Sequence, residues 1–305
     1  MALPVGELGS KEIIQGLDVQ LAQEAADFHD ATGMMPGLAL LTDYYSGHVG
    51  TQRYMANKSA VGERLGFRVH TEVLDMPDHT TSGDPWPMSS TDSLVASIER
   101  LNFDETIHGI VAQLPLADRR AEKTVLAKIH PHKDVDGLGP VKGPNPATPL
   151  AIDSLLAGHG VDVREEDVVV FGLGPLVGLP YLELVRSSGN EHAKGFDEFS
   201  DPLERASALN TASVIVTAMG QGAIVTPDMF DDMSRPRVLI DAGTAEADGA
   251  GDVTPELREL ALENGWALNS RIGSVGPLTI RMLLKNTLVA AREQAAGARP
   301  VAASL

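Results

Sequence analysis

The chain has 305 residues, 43% of them apolar, more than a single core ordinarily organises, and this points to two domains. The absence of cysteine excludes disulfides, thiolate nucleophiles and zinc–cysteine centres, and fits a reducing compartment. A formal net charge of −18 repels phosphate backbones and anionic lipid, so neither nucleic acid nor membrane is an expected partner.

The start of the sequence lacks the basic, apolar pattern of an export signal, and no run approaches the roughly 20 apolar residues that span a bilayer, so a cytoplasmic location is expected. Ile13, Ile14, Leu17, Leu21 and Ala25 recur at helical spacing over Ser10 to Phe28, with Ser10 as the expected N-cap. A strand, Leu38 to Leu41, follows the Pro36-Gly37 turn. Next come a helix from Tyr54 to Leu65, an alternating strand from Phe67 to Val73, a polar Pro-rich loop from Met76 to Ser90, a helix ending at Leu101, and a buried strand from Ile110 to Leu114. Strands separated by helices imply a parallel sheet.

From His130 to Thr148 the chain is dense in Pro, Gly and Asp and follows neither hydrophobic period, which reads as a long ordered loop or an active-site segment. A domain boundary is placed near Pro149. Beyond it, a helix from Leu150 to Gly158, an apolar strand Val168 to Phe171, a Gly-rich turn, and strands at Val214 to Val216 and Val238 to Asp241 read as a Rossmann-type, doubly wound domain. Leu283, Leu284, Leu288 and Val289 give the last helix, Leu278 to Arg292, an apolar face, and the tail after Ala295 reads as frayed.

Five groups of residues carry chemistry. Gly172, Gly174, Pro175, Val177 and Gly178 form a Gly-rich turn directly after the Val168 to Phe171 strand, where backbone N–H groups can meet a pyrophosphate. The spacing is G-x-G-x-x-x-G, and a tight strand-to-helix turn without ligand is the plainer alternative. Tyr54 and Lys58 lie four apart on one helix face, where a ring and an amine can share a substrate or simply cover a solvated surface. Gln113 interrupts an apolar strand at its carboxyl end, where parallel sheets collect ligand groups; a buried amide needs a partner, which can equally be backbone. Lys133, Asp134 and Asp136 crowd an irregular loop that can bind a heterocycle's N–H groups or close an Asx-turn network. Gly276 and Pro277 open the last helix, with free N–H groups nearby for an anion or a cofactor amide. His130 and His132 flank a proline and cannot form a helical metal pair, so no metal is expected.

In their order, these stretches resemble the bifunctional methylenetetrahydrofolate dehydrogenase/methenyltetrahydrofolate cyclohydrolase family, from about Pro36 to Ala290. They are Tyr54-x-x-x-Lys58, Gly109-Ile-Val-Ala-Gln113-Leu-Pro-Leu116, Pro131-x-Lys-Asp-Val-Asp136-Gly137, Thr148-Pro-Leu150, Val177-Gly-x-Pro180, Val225-Thr-Pro-Asp-Met229, Gly276-Pro-x-Thr279 and Met282-Leu-Leu-Lys-Asn-Thr-Leu288.

The resemblance implies two α/β domains: a folate-binding catalytic domain over 1–148 and 278–305, and a Rossmann-type domain over 149–277. The last helix is expected to pack back across the cleft between them. It implies tetrahydrofolate derivatives as substrates, with Tyr54 flanking the folate rings, Asp136 holding the pterin edge and Lys58, paired with Gln113, as the key catalytic residue. Gly172 to Gly178 and Thr148 are expected to bind the cofactor, Gly276, Pro277 and Thr279 to close the floor near folate and nicotinamide, and the chain to form a homodimer.

Where family members have Ser, Lys and Cys, this chain has Thr51, Ala60 and Ala147. Leu173 stands where the family often has an Arg for a 2′-phosphate, and Asp197 falls near the end of the second Rossmann strand, where a carboxylate accepts from a ribose 2′-OH. The cofactor expected is NAD or NADP, with NAD favoured. Three alternatives stay open: a cyclohydrolase that has lost its dehydrogenase, a non-catalytic folate- or nucleotide-binding paralogue, and a Rossmann oxidoreductase unrelated to folate.

Overall fold

A computed structural model of the chain describes residues 2–43, 49–74, 90–141, 143–243, 251–271 and 273–297. In chain order the first half forms β1 (Gly6–Leu8), α1 (Lys11–Thr32), β2 (Gly37–Thr42), α2 (Val49–Arg64), β3 (Arg68–Val73), α3 (Ser90–Asn102), β4 (Gly109–Ala112) and α4 (Glu122–Leu126). The second half forms α5 (Ala147–Gly158), β5 (Val168–Phe171), α6 (Gly178–Ser187), β6 (Lys194–Phe196), α7 (Pro202–Thr211), β7 (Val214–Thr217), β8 (Val238–Asp241), α8 (Pro255–Glu263), β9 (Ala267–Asn269) and α9 (Val275–Ala295). The Pro-rich loop expected from Met76 lies outside the described residues, and Ser90 already opens α3.

The chain is α/β and divides into two compact units, Leu17–Pro144 with Leu283–Leu305, and Met1–Gly16 with Asn145–Met282. In the first, a parallel sheet runs in the order β3-β2-β4. The central strand β2, Gly-Leu-Ala-Leu-Leu-Thr, is buried at every position, as an apolar run covered on both faces must be. Ala39, Leu41, Leu94, Ile98, Ile110 and Ala112 share one core cluster on one side of it. The C-terminal part of α9 belongs to the same unit: Leu283, Leu284 and Leu288 are buried, whereas Val289, expected on the apolar face, is 44% exposed. Asn286 Nδ2 donates to Val135 O at 2.9 Å, and Gln294 Nε2 donates to His108 O at 2.9 Å and His132 O at 3.0 Å.

The second unit holds a six-stranded parallel sheet in the order β1-β9-β8-β7-β5-β6. Its central strands Val-Val-Val-Phe, Val-Ile-Val-Thr and Val-Leu-Ile-Asp are apolar and almost wholly buried. The chain travels outward from β5 to β6, then returns to the other side of β5 for β7, and that reversal leaves a crevice at the strands' carboxyl ends.

The first residues depart from the boundary read in the sequence. Met1–Gly16 groups with this second unit because β1 pairs in parallel with β9, Gly6 with Ala267 through Leu8 with Asn269. Ser10 directly precedes α1, its carbonyl accepting from Ile14 N at 2.8 Å, and its hydroxyl donates to Gly273 O at 2.6 Å. His159 Nε2 also meets Gly9 O, at 2.8 Å. At the other boundaries, 145–148 and 278–282 likewise fall in the second unit.

Candidate active site

Helix α2 brings Tyr54 and Lys58 one turn apart on one face. Lys58 is 4% exposed, and its ammonium lies 4.6 Å from the centroid of the Tyr54 ring. It donates to Gln113 Oε1 at 2.8 Å. Gln113 is the first residue past β4, its backbone N–H held by Leu41 O at 2.7 Å, and its Nε2 donates to Leu114 O at 2.7 Å. The amide is therefore oriented from both ends, carbonyl toward the lysine and NH₂ toward backbone, so the two partners weighed for Gln113 are both present.

The Lys133 to Asp136 cluster separates into structural and site residues. Lys133 is buried and donates to Leu101 O at 2.9 Å and Asp104 O at 2.8 Å, and burial lowers its pKa to about 8. Asp134 accepts from the backbone N–H of Gly137 at 3.0 Å and of Gly139 at 2.8 Å, closing the turn. Asp136 is left to face Lys58. Although the residue keeps some exposed surface, its carboxyl is enclosed by protein: burial raises its pKa, and the Lys58 charge opposes that rise. Burial correspondingly lowers the Lys58 pKa, with Asp136 opposing, while burial and the Asp136 charge both push the Tyr54 phenol up. The result is an amine brought closer to its neutral form beside an aromatic face and a carboxyl group, a set suited to moving protons at a substrate lying against the ring.

Sequence reading missed Asp43. It follows β2, is fully buried, and accepts from Ala117 N at 3.1 Å, while Glu122 Oε1 accepts from Leu116 N at 3.1 Å. Together they fix the segment that carries Gln113. The signal was available: Asp43 is a polar residue just past the carboxyl end of an apolar strand, the same signature that singled out Gln113.

In the other unit, Gly172 sits at φ +87°, and a Cβ there would come within 2.7 Å of Ala218 O. A Cβ on Gly178, which opens α6, would collide with Gly172 O, whereas Gly174 faces open space. Pro175 is exposed and Val177 precedes the helix as its N-cap residue. The turn thus brings its backbone together by excluding side chains and presents Gly174 and the start of a ten-residue helix outward, a cradle that fits a pyrophosphate. Asp197 comes directly after β6, whose Phe196 pairs with Phe171 at the end of β5. Its Oδ1 accepts from Phe199 N at 3.0 Å and Ser200 Oγ at 2.9 Å. Thr148 is in the first turn of α5. Gly276 and Pro277 are in the first turn of α9, and the Thr279 hydroxyl donates back to Val275 O at 3.0 Å.

Comparison with known proteins decides what these parts belong to. The model of the tetrahydrofolate dehydrogenase/cyclohydrolase catalytic domain matches residues 8–136, and that of the NAD(P)-binding domain matches residues 146–295. The bifunctional protein FolD of Macrococcus caseolyticus is 32% identical over 302 residues, covering 95% of this chain and 99% of the relative. The chain belongs to the tetrahydrofolate dehydrogenase/cyclohydrolase family. A second family member, the bifunctional protein FolD of Moorella thermoacetica, is also 32% identical, over 95% of this chain and 100% of its own. Among solved structures, the Trypanosoma brucei methylenetetrahydrofolate dehydrogenase-cyclohydrolase, complexed with NADP and an inhibitor, superimposes with a TM-score of 0.80 at 26% identity, covering 97% of this chain and 99% of that one.

Proposed function

We propose that Lys58, held by Gln113 and Tyr54 and facing Asp136, performs the hydrolytic half of a methylenetetrahydrofolate dehydrogenase and methenyltetrahydrofolate cyclohydrolase, and that the turn after β5 carries NAD for the oxidative half. The observation that carries this reading is the 2.8 Å bond from a buried lysine to an amide oxygen fixed at a strand's carboxyl end. Folate chemistry is assigned to the unit around Leu17–Pro144 and the cofactor to the unit around Asn145–Met282.

The first reaction takes 5,10-methylenetetrahydrofolate to the methenyl cation, with bound nicotinamide supplying the hydride acceptor. The folate's own nitrogen lone pairs stabilise that cation, so the protein contributes alignment. Tyr54 offers its ring face to the folate rings, and the Asp136 carboxylate accepts paired N–H donors of the pterin edge. Gly276, Pro277 and Thr279 are assigned to the floor of the site, and Thr148 to cofactor contact. In the second reaction, water adds to the methenyl carbon and loses one proton, then the C–N5 bond breaks as N5 gains that proton and the new hydroxyl gives up its own to solvent, its oxygen becoming the formyl carbonyl of 10-formyltetrahydrofolate. Lys58, whose pKa burial lowers, takes up and returns that proton while the Gln113 oxygen keeps Nζ aimed. None of these steps asks for a metal ion.

NAD is favoured over NADP by charge and packing. Asp197 places a carboxylate immediately past β6, and Gly195 makes room for Leu173, whose Cδ2 lies 2.7 Å from where a Gly195 Cβ would stand. An apolar side chain and a carboxylate offer nothing to neutralise a 2′-phosphate. The working state assigned is a cytoplasmic homodimer, supported by the family resemblance for the dimer and by the cysteine-free, acidic composition for the compartment.

The test follows absorbance with methylenetetrahydrofolate and either NAD or NADP, alongside hydrolysis of preformed methenyltetrahydrofolate. Reduction of NAD should outpace that of NADP. Lys58→Met should lose hydrolysis by at least about 100-fold while reduced nicotinamide still accumulates, the range expected on removing a general acid–base. Hydrolysis by Lys58→Met at the wild-type rate overturns the assignment.

A further inference from the structure

The turn that follows β7 takes an unusual backbone path. Gly220 and Gly222 have φ of +65° and +68°, and Ala223, a residue with a Cβ, is also left-handed at +49°. A non-glycine residue in that region is held there by its surroundings, and such outliers gather where a backbone must present itself in one particular way.

What holds this turn is Asp252. Its side chain is fully buried, and its two oxygens accept from two backbone N–H groups of the same turn, Met219 at 2.7 Å and Gln221 at 3.1 Å. Around it, Ala223 N donates to Gly251 O at 2.7 Å, and Ile224 N and Val225 N donate to Asp252 O at 2.8 and 2.9 Å. Asp252 is itself seated from below: its N–H donates to Asp241 Oδ1, at the end of β8, at 2.9 Å. Gly243 has no room for a Cβ, which would collide with the Asp252 carboxylate, and a Cβ on Gly251 would collide with that of Asp241. A buried carboxylate is costly unless fully hydrogen-bonded, and here its oxygens are met by the N–H groups of Met219 and Gln221, in a loop beyond the end of β7 rather than in the sheet.

The turn lies against the phosphate cradle. A Cβ on Gly172 would stand 2.7 Å from Ala218 O and 2.7 Å from Met219 Cγ. β7 is also the strand across the crevice from β6, so this turn and the Gly172 turn are the two backbone walls of the crevice between β5 and β7. We infer that Asp252 is a positioning residue for the oxidation: through Met219 N and Gln221 N it fixes the second wall of the nicotinamide-cofactor site without touching the cofactor. This rests on the dehydrogenase reading above.

The enzyme's second activity separates this from a merely structural role, because hydrolysis of preformed methenyltetrahydrofolate needs no nucleotide and is assigned to the Lys58 group of the other unit. Asp252→Ala and Asp252→Asn should be compared with wild type for NADH binding by nicotinamide fluorescence, KM for NAD, and that hydrolysis rate. Asp252→Ala should weaken NADH binding and raise KM for NAD by about tenfold or more, the loss of two charge-assisted bonds, with hydrolysis within about twofold of wild type. Asp252→Asn, which keeps one acceptor oxygen, should fall between. NADH binding by Asp252→Ala equal to wild type overturns the inference, as does hydrolysis falling in step with binding. Wild type that binds neither NADH nor NADPH overturns the dehydrogenase reading, and the inference with it.

Discussion

His108 should set part of the acid stability of the catalytic unit. It lies just before β4, 2% exposed, with its ring edge-on to Phe28 at 5.6 Å between centroids. Its Nδ1 accepts from Gly37 N at 2.9 Å, which requires the neutral ring. Burial pushes its pKa down from 6.5 to about 4, the Lys133 charge adding in the same direction and Asp104 opposing. Between those values the unfolded chain takes up a proton that the folded chain refuses. Stability is therefore fully present above about pH 6.5 and is lost as pH falls toward 4, by about 3 kcal/mol at about 1.4 kcal/mol per pH unit. Asp134, Asp136 and Asp241, whose pKa values burial raises, act in the opposite sense, so the contribution is read as a difference. In His108→Gln an amide oxygen can still accept from Gly37 N but does not titrate. Urea unfolding of both proteins at pH 7.5 and pH 4.5 should show wild type losing about 3 kcal/mol more than the variant across that interval. Parallel pH dependences would refute the claim that His108 is buried neutral.

Two further outcomes follow from packing. Gly178→Ala places a methyl group against Gly172 O, so the phosphate turn must open; NADH binding should weaken at least about tenfold and the melting temperature should fall, as overpacking costs about 1–3 kcal/mol, and wild-type affinity would refute the close approach. The Tyr181 hydroxyl is buried without a hydrogen-bond partner among the described residues, so Tyr181→Phe should be neutral or stabilising by up to about 1 kcal/mol in denaturant unfolding, and a clear loss would reveal a partner.

The parts legible in the sequence are those whose physics is local. Leu38 to Leu41, Val168 to Phe171 and Val214 to Val216 announce strands because a run covered on both faces must be apolar throughout. The strands β1 and β9 pass unnoticed: Gly6–Leu8 and Ala267–Asn269 are three residues each, too short to display a period, and their pairing spans almost the whole chain. At the site, Tyr54, Lys58 and Gln113 could be proposed from spacing and from one polar residue in an apolar strand. Which acid of the Lys133 to Asp136 cluster serves the site could not be read from spacing, and Asp136 was singled out only through the family resemblance, because Asp134 and Asp136 differ in what the fold brings to each: backbone N–H groups of Gly137 and Gly139 to one, Lys58 to the other. Asp252 was invisible for the same reason, its partners lying 31 and 33 residues away.

The division of the chain has a consequence for biosynthesis. Each unit is assembled from two separated pieces of sequence, one of which lies at an end of the chain. A ribosome delivers Gly6–Leu8 well before that strand's partner, Ala267–Asn269, about 260 residues later. The catalytic unit likewise waits for Leu283 onward before His108, His132 and Val135 gain their helical partners. Neither unit can close early, so the nascent protein stays exposed to chaperones and proteases until α9 arrives, and truncating α9 disables both halves at once.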